Sequence, residues 1–402
     1  MPQHGTPLVL PLRVPQRPPH LPQCHDPASC KGPSLASDSA FSICPEFWFS
    51  DGNIILIAGG CGFRVHRGQL ERHSEVFGNM FSFPCPDGVQ EDRVMLYDAP
   101  ADVYYFLKAL YDGVAIDRHF PSDFAFLAAI LRLSHKYFAT THRRQCLSLL
   151  SRDYPLTLAE WDRREHSVTD PSGRYLPRDH IASPILVINL ARELALDTLL
   201  PAAFYDLSRY GPSKTAAGTA APPALFLDAY ITAGSEPPAP AVPIVVQNGA
   251  RITLADDDLI LLLAGREHGQ TWLAHFLDRA VGSRTPAAAC ANARDGSRSC
   301  RDSFFFLLLN TRRAVGGIAV GRDADPLFTL RQMGEMLHRT DFSDGARAYG
   351  LPMCCFCKAD FMLAIARARE EVWRAIPGWF GLTSEGNGNA GEGGANPGTA
   401  GV

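Results

Sequence analysis

The chain has 402 residues, of which 46% are hydrophobic and 20% charged, a balance typical of a globular protein with a sizeable core. Its formal net charge of −4 gives no basic field for nucleic acid or for an anionic membrane surface, and its longest apolar runs are too short to span a bilayer. We therefore expect an intracellular protein, cytoplasmic and/or nuclear, with mostly reduced cysteines.

Both ends and one internal segment have compositions that disfavour folding. Residues 1–44 form a proline-rich arm and residues 383–402 a glycine-rich tail, and both are predicted to be disordered. Residues 212–243, rich in Ala, Pro and Gly, are predicted to be a linker. The tail contains glycines at the G-x-G-x-x-G spacing, but a dinucleotide-binding loop needs a strand before it and a helix after it. The match is therefore attributed to chance.

The first ordered elements are a hairpin and a helix. Residues 54–58 form an apolar strand, "GGCG" is a turn, and Phe63 and Val65 alternate with polar residues on a second strand. From residue 69 the apolar spacing changes to that of a helix burying one face. The buried stripe of this predicted helix consists of Leu70, Ser74, Phe77 and Phe81.

The rest of the chain is predicted to be mostly helical. A short strand, "RVMLYD", precedes the helix "PADVYYFLKALYDG", and two more helices follow before Pro155. Helices are also predicted in "TLAEW" and over residues 184–210. In "VVQNGARITL" the Asn-Gly pair between apolar flanks predicts a hairpin. At least three further helices lie between this hairpin and the tail.

This order of elements resembles the BTB/POZ domain over roughly residues 45–150. The matching residues are Asp51, Phe63, Val65, His66, Leu70, Ser74, Phe77, Met80, Phe81, Leu107, Tyr111 and Gly113. The segments "FWFSDGNIILIA", "LRLSHKYFATTHRRQCLSLL" and "VINLARELALDTLLPAAFY" look like the large set of BTB-domain proteins found in mushroom-forming fungi. So does the C-terminal segment "EVWRAIPGWFGL".

The resemblance implies an α+β fold, with a small mixed sheet covered by a helical cluster and a mostly α-helical C-terminal region after it. The expected order is a BTB/POZ domain at 45–151, a helical extension at 152–211, the linker, and a C-terminal helical region at 244–382. The resemblance also implies a non-enzymatic module for protein–protein interaction, an adaptor or scaffold that binds protein partners and forms a homodimer through the BTB domain.

Two departures from the family limit what carries over. There is no clear amphipathic helix before Phe47, where many BTB dimers have a swapped element. After Phe81, "SFPCPDGVQEDR" lacks the hydrophobic-x-Glu pattern of cullin-3 adaptors, so cullin-3 binding is possible but has no motif behind it.

Several polar residues could carry chemistry but have simpler structural explanations. His66 and Ser74 could form a nucleophile–base pair, yet no third orienting group or oxyanion pocket is evident. We predict that His66 hydrogen-bonds backbone groups at the strand–helix corner, and that the Ser74 hydroxyl bonds the carbonyl four residues earlier. Glu71 and His73 are assigned to the outer, solvated side of the helix. No catalytic and no cofactor-binding residue is predicted.

Three other groups are also interpreted as structural. His135 and His142 are not assigned to chemistry. Asp256, Asp257 and Asp258 could hold a cation, but the N-terminus of a helix explains them more simply. The two apolar stripes that we assign to the core are Phe124/Leu127/Leu131 and Phe361/Ile365/Val372.

The cysteines near the C-terminus are the weak candidates for a metal site. Cys354 and Cys357 form a C-x-x-C pair that could place two thiolates on a tetrahedral zinc ion, and Cys290 and Cys300 could complete four ligands. The upstream pair is not spaced like a zinc ribbon, and buried cysteines commonly act as small apolar residues. No metal or cofactor is therefore predicted. The alternative is a zinc-stabilised C-terminal domain acting in ubiquitin ligation or nucleic-acid regulation; a redox C-x-x-C lacks its usual βαβ context.

Overall fold

The computed structural model is of the α+β class, with a small mixed sheet and many helices, and the described residues from 41 onward belong to one compact unit. The structure describes residues 41–83, 93–114, 122–171, 175–227, 243–246, 249–294, 298–315, 325–343 and 348–382. The proline-rich arm up to residue 40, the glycine-rich tail and residues 228–242 of the predicted linker lie outside these ranges.

Four strands form the main sheet, in the order β1-β3-β2-β4. They are β1 (Ser42–Trp48), β2 (Ile54–Ala58), β3 (Cys61–Val65) and β4 (Arg93–Leu96). The β2–β3 pair is antiparallel, so the predicted hairpin is confirmed, and β1 and β4 are added in parallel to β3 and β2. Gly59 and Gly60 make the turn with φ of 51° and 80°, a conformation that glycine adopts at little cost.

Five helices follow or interrupt this sheet. They are α1 (Arg67–His73), α2 (Glu75–Ser82), α3 (Pro100–Asp112), α4 (Ser122–Lys136) and α5 (Thr140–Asp153). The prediction of a single helix through residue 81 was wrong, because Ser74 is extended (φ −136°, ψ 121°) and separates α1 from α2. Ser74 caps α2, accepting a hydrogen bond from the Phe77 N–H at 3.2 Å.

The middle of the chain adds short helices and two small sheets. The helices are α6 (Leu158–Ser167), α7 (Pro177–His180), α8 (Pro184–Glu193), α9 (Leu200–Ser208) and α10 (Pro212–Ala216). The strands are β5 (Thr219–Ala220), β6 (Ala224–Leu227), β7 (Pro243–Val246) and β8 (Arg251–Ile252). The Asn-Gly hairpin was predicted wrongly, since β7 pairs with β6 and β8 with β5.

Within the described ranges, the regular elements of the C-terminal part are helices and one pair of two-residue strands. Its elements are α11 (Asp256–Phe276) with a π-helical continuation at Leu277–Gly282, α12 (Ala291–Arg294), α13 (Ser299–Val315), α14 (Pro326–Met336), β9 (Phe342–Ser343), β10 (Ala348–Tyr349) and α15 (Cys355–Trp379). None of the described helices is long and apolar enough to cross a membrane.

Two hydrophobic cores hold these elements together. The first lies between the inner face of the main sheet and the helices α1–α3, and includes Leu56, Phe63, Leu70, Phe77 and Leu107. The second and larger core collects side chains from α4 through α15. Both apolar stripes assigned to the core from the sequence lie in this second core, so that prediction is confirmed.

Candidate functional site

His66 lies at the corner between β3 and α1, as predicted, but its imidazole bonds side chains and not backbone groups. Nδ1 is 2.9 Å from the Tyr111 hydroxyl, and Nε2 is 3.2 Å from Oδ1 of Asp51. The backbone N–H of His66 also donates to the Tyr111 hydroxyl at 3.0 Å. These contacts join the β2–β3 hairpin to α3, and all three residues belong to the set that carries the BTB resemblance.

A carboxylate, an imidazole and a hydroxyl are therefore hydrogen-bonded in series. Their surroundings indicate that they hold the structure together and do not carry out catalysis. The side chain of Asp51 is 80% exposed, so solvent screens its interaction with His66. Its pKa is lowered mainly by its own backbone N–H and then by His66. Burial raises the pKa of Tyr111, which keeps this hydroxyl protonated. The tyrosine thus acts as a neutral hydrogen-bonding group between strand and helix.

Ser74 has different partners from those predicted. Its hydroxyl donates to the carbonyl of Tyr137 at 2.5 Å and accepts from Phe77, while the Leu70 carbonyl receives the backbone N–H of Ser74. The hydroxyl is buried and links α2 to the end of α4. Ser74 is therefore an architectural residue in this structure, although not by the predicted contact.

The neighbouring polar residues differ in their exposure. Glu71 accepts a hydrogen bond from Arg67 at 2.8 Å on the outer side of α1, as expected for a solvated position. His73 is half-buried, which corrects its assignment to solvent, and its ring packs edge-on against His142 at 5.1 Å between centroids. His142 is buried with Nε2 3.2 Å from the Ala109 carbonyl, whereas His135 is exposed.

The three aspartates at 256–258 lie in the first turn of α11, where the prediction placed them. Asp258 is buried and accepts hydrogen bonds from the Arg192 guanidinium at 2.7 and 3.0 Å. The helix N-terminus and this arginine together compensate its negative charge. The group therefore has a structural explanation within its own surroundings.

A buried network of charges, which was not predicted from the sequence, lies between α6, α9 and the start of α14. Its charged members are Arg164, Glu165, Asp206, Arg209 and Asp325, all nearly inaccessible to solvent. Arg164 donates to Glu165 at 2.5 Å and to Asp206 at 2.7 Å. Arg209 donates to Glu165 at 2.9 Å, to Asp206, and to Asp325 at 3.3 Å.

Neutral groups complete this network. Tyr205 donates its hydroxyl proton to Asp325 at 2.8 Å, and the same carboxylate accepts the N–H of Phe328 as the N-cap of α14. Both arginines stack on Trp161, with Cζ 4.6 and 5.0 Å from the ring centroid. The network therefore fixes three elements, with each buried charge facing one of opposite sign.

The four cysteines singled out from the sequence come together in the folded chain. The sulfur atoms of Cys290, Cys300, Cys354 and Cys357 all lie within 4.8 Å of one another, and those of Cys290 and Cys354 are 3.8 Å apart. Cys290 immediately precedes α12 and Cys300 is in the first turn of α13. The other two cysteines lie at the start of α15, so residues separated by more than fifty positions share one site.

Nitrogen donors surround these sulfurs. Cys300 Sγ accepts from the Asn292 amide at 3.2 Å and from the Cys354 N–H at 3.3 Å, and Cys357 Sγ accepts from the Ala287 N–H at 3.3 Å. The backbone amide of Cys357 is the main cause that lowers the pKa of Cys354 to about 6. Burial raises the pKa of Cys357 to about 12. Cys355 points to solvent and is not part of the cluster.

A second candidate site, for binding another polypeptide, is the edge strand β4. Its inner residue Leu96 is buried, whereas Met95 is 56% exposed and Tyr97, directly after the strand, is 96% exposed. Met95 lies beside Ile57 of β2 in the parallel ladder, on the face of the sheet opposite the first core. An edge strand with exposed large apolar side chains is a typical site for docking another polypeptide.

Comparison of the sequence with protein-family models and with curated proteins gave no match.

Proposed function

We propose that this protein is a non-enzymatic protein–protein interaction module, in which the N-terminal α+β part is a BTB/POZ-type domain that pairs with a second copy of the chain. The observation that carries the proposal is the exposed apolar pair Met95 and Tyr97 on the edge strand β4. Burying such side chains against a partner removes them from water, which is the main driving force of protein association.

The packing of the N-terminal part supports the domain assignment. Phe63, Leu70, Phe77 and Leu107, four residues of the resemblance, are almost completely buried in one core. Three polar residues of the same set, Asp51, His66 and Tyr111, are linked through the His66 ring. A fourth, Ser74, is buried and caps α2. The resemblance thus accounts for both the apolar and the polar positions of a single folded region.

The proposal also names the partner. A second copy is proposed because the exposed side chains are apolar and lie on a sheet end, where a symmetric pairing of strands or faces is possible. Cullin-3 remains a prediction without motif support, and most of the segment where its motif would lie, residues 84–92, is outside the described ranges.

Fewer observations support the alternative function, in ubiquitin ligation or nucleic-acid regulation, than support the interaction module. The four thiols that the described residues bring together suffice for one zinc ion, whereas a RING-type domain needs two such sets. The net charge of −4 also disfavours nucleic acid as a partner.

The test is the mass of the particle in solution, with Met95→Lys/Tyr97→Lys as the variant. Light scattering after size exclusion at tens of micromolar should give twice the mass of one chain for the unmodified protein and one chain for the variant, because lysine on an edge strand opposes pairing. A monomeric unmodified protein would mean an interface weaker than about 7 kcal/mol and would contradict the dimer.

The matched control is Ile260→Lys/Phe305→Lys, which adds the same two charges at exposed apolar positions on α11 and α13. This control should remain a dimer with an unchanged circular dichroism spectrum. Loss of the dimer in the control as well would show that added charge, and not the β4 surface, is responsible.

A further inference from the structure

Four sulfurs converge at the N-termini of α13 and α15 with the spacing of a metal site. Zinc with Zn–S bonds of about 2.3 Å in a tetrahedron holds its ligand sulfurs about 3.8 Å apart. The sulfurs of Cys290 and Cys354 are 3.8 Å apart, and every other pair lies within 4.8 Å. All four sulfurs therefore lie within about 1 Å of the separations that a tetrahedral zinc site requires.

From this geometry we infer that Cys290, Cys300, Cys354 and Cys357 bind one zinc ion as a structural site. Four thiolates fill the coordination sphere of zinc and leave no open position for water or substrate, which distinguishes structural from catalytic zinc. The ion would be bound without taking part in a reaction. This inference is independent of the dimer proposed above.

The polar groups around the cluster favour bound metal over free thiols. Asn292 and the backbone amides of Ala287 and Cys354 direct N–H groups at Cys300 and Cys357. Such outer contacts are typical of metal-bound thiolates, because each N–H disperses the negative charge on a sulfur.

Other uses of four cysteines fit less well. An iron–sulfur cluster also takes four cysteines, but its inorganic core holds the ligand sulfurs apart, and a limit of 4.8 Å between them leaves no room for it. Two disulfides would join the sulfurs in pairs at about 2.0 Å and would not need all four within reach of one centre. A single tetrahedral ion uses all four sulfurs equally.

The role of the ion follows from where its ligands lie. Cys290 ends the segment after α11, Cys300 begins α13, and the C-x-x-C pair begins α15. One ion therefore fixes three segments of the second core, whose helices bury Phe304 and Phe361 next to the site. Folding of the C-terminal region should then depend on zinc.

The experiment measures metal bound to the full chain, purified in reducing buffer with added Zn²⁺ and then passed over a desalting column. Elemental analysis should give one zinc per chain, and Cys300→Ser should lose it. Cys355→Ser is the matched control, since this exposed cysteine lies in the same "CCFC" segment, and it should keep the full amount.

A second measurement covers the case in which Cys300→Ser does not fold. The unmodified chain, stripped with a chelator and loaded with Co²⁺, should show the intense visible absorption of tetrahedral cobalt with thiolate ligands. It should also melt at a lower temperature after chelation and recover when Zn²⁺ is returned.

Several results would overturn the inference. They are an unmodified chain that holds no zinc or holds iron in its place, and an intact mass lowered by disulfide formation in the purified protein. Zinc that is kept by Cys300→Ser, or lost from Cys355→Ser, would equally overturn it.

Discussion

At the scale of single residues, Glu165 of α6 is a buried carboxylate that hydrogen-bonds both Arg164 and Arg209. Burial alone would raise the pKa of Glu165, but the positive charges of Arg209 and Arg164 outweigh it, and the pKa is lowered. A carboxyl group whose pKa is lower in the folded than in the unfolded state stabilises the fold at every pH at which it is ionised in both states.

The lowered pKa of Glu165 determines how the stability of the fold depends on pH. The contribution of Glu165 should be complete above its unfolded pKa, near 4.5, and should be lost as the pH falls through the lower folded pKa. Glu165→Gln should therefore lower the free energy of unfolding by about 3 kcal/mol at pH 7, as expected when a buried ion pair loses one partner. The difference should shrink as the pH falls below 4.5.

Thermal melts of both proteins between neutral and acid pH measure this effect. Glu267→Gln is the control, because it removes the same charge from an exposed position on α11. Parallel curves for Glu165→Gln and the unmodified chain at every pH would contradict the role assigned to the network.

For single residues, the sequence predicted the position in a helix or turn better than it predicted the hydrogen-bond partners. The adjacent Arg164 and Glu165 look like an ordinary charged pair on a helix surface. Their other partners in the buried network, Asp206 and Arg209, lie more than forty positions away in the chain. Ser74 fits both a helix interior and an N-cap, and tertiary contact with Tyr137 decides between them. His66 was placed correctly, but its partners come from two other elements.

At the scale of elements, a glycine of α11 allows a close approach in the second core. A Cβ added to Gly265 of α11 would lie 2.0 Å from the ring of Phe380, which directly follows α15 and is fully buried. Phe380 also packs against Phe204 of α9, with ring centroids 5.5 Å apart. The glycine therefore lets three elements meet around one aromatic ring.

Gly265→Ala should lower the free energy of unfolding by about 1–3 kcal/mol, the usual cost of overpacking a core. Urea unfolding of the full chain measures it. Gly378 of α15 provides the control, because a Cβ there meets nothing within 4 Å, and Gly378→Ala should be neutral or slightly stabilising through helix propensity. Equal effects of the two substitutions would show that the Phe380 contact is not tight.

Elements with strong local patterns could be predicted, and those that depend on distant pairing could not. The hairpin β2–β3 and the core stripes of α4 and α15 follow from alternation and helical spacing, which are properties of a few neighbouring residues. The short strands β7 and β8 pair with β6 and β5, and an Asn-Gly pair says nothing about such partners. The cysteine set could be named from spacing, but its convergence needed the packing of α13 against α15.

At the scale of the whole molecule, α4 and α5 bind the N-terminal part to the rest of the chain. Leu133 of α4 and Tyr137, directly after this helix, belong to the first core, whereas Phe124 and Leu131 of α4 belong to the second core. Leu150 of α5 also lies in the second core. The two cores therefore share a helix.

This sharing predicts that the N-terminal part is not stable when it is cut out. A fragment of residues 41–153 would expose Phe124, Leu131 and Leu150 to water and lose their contribution, about 1.5–3 kcal/mol for each large side chain. We expect it to unfold at a lower urea concentration than the full chain and to bind a hydrophobic dye. A chain ending at residue 382 keeps every described core residue and should match the full chain. A fragment as stable as the full chain, without dye binding, would mean that α4 can close the first core without its second set of partners.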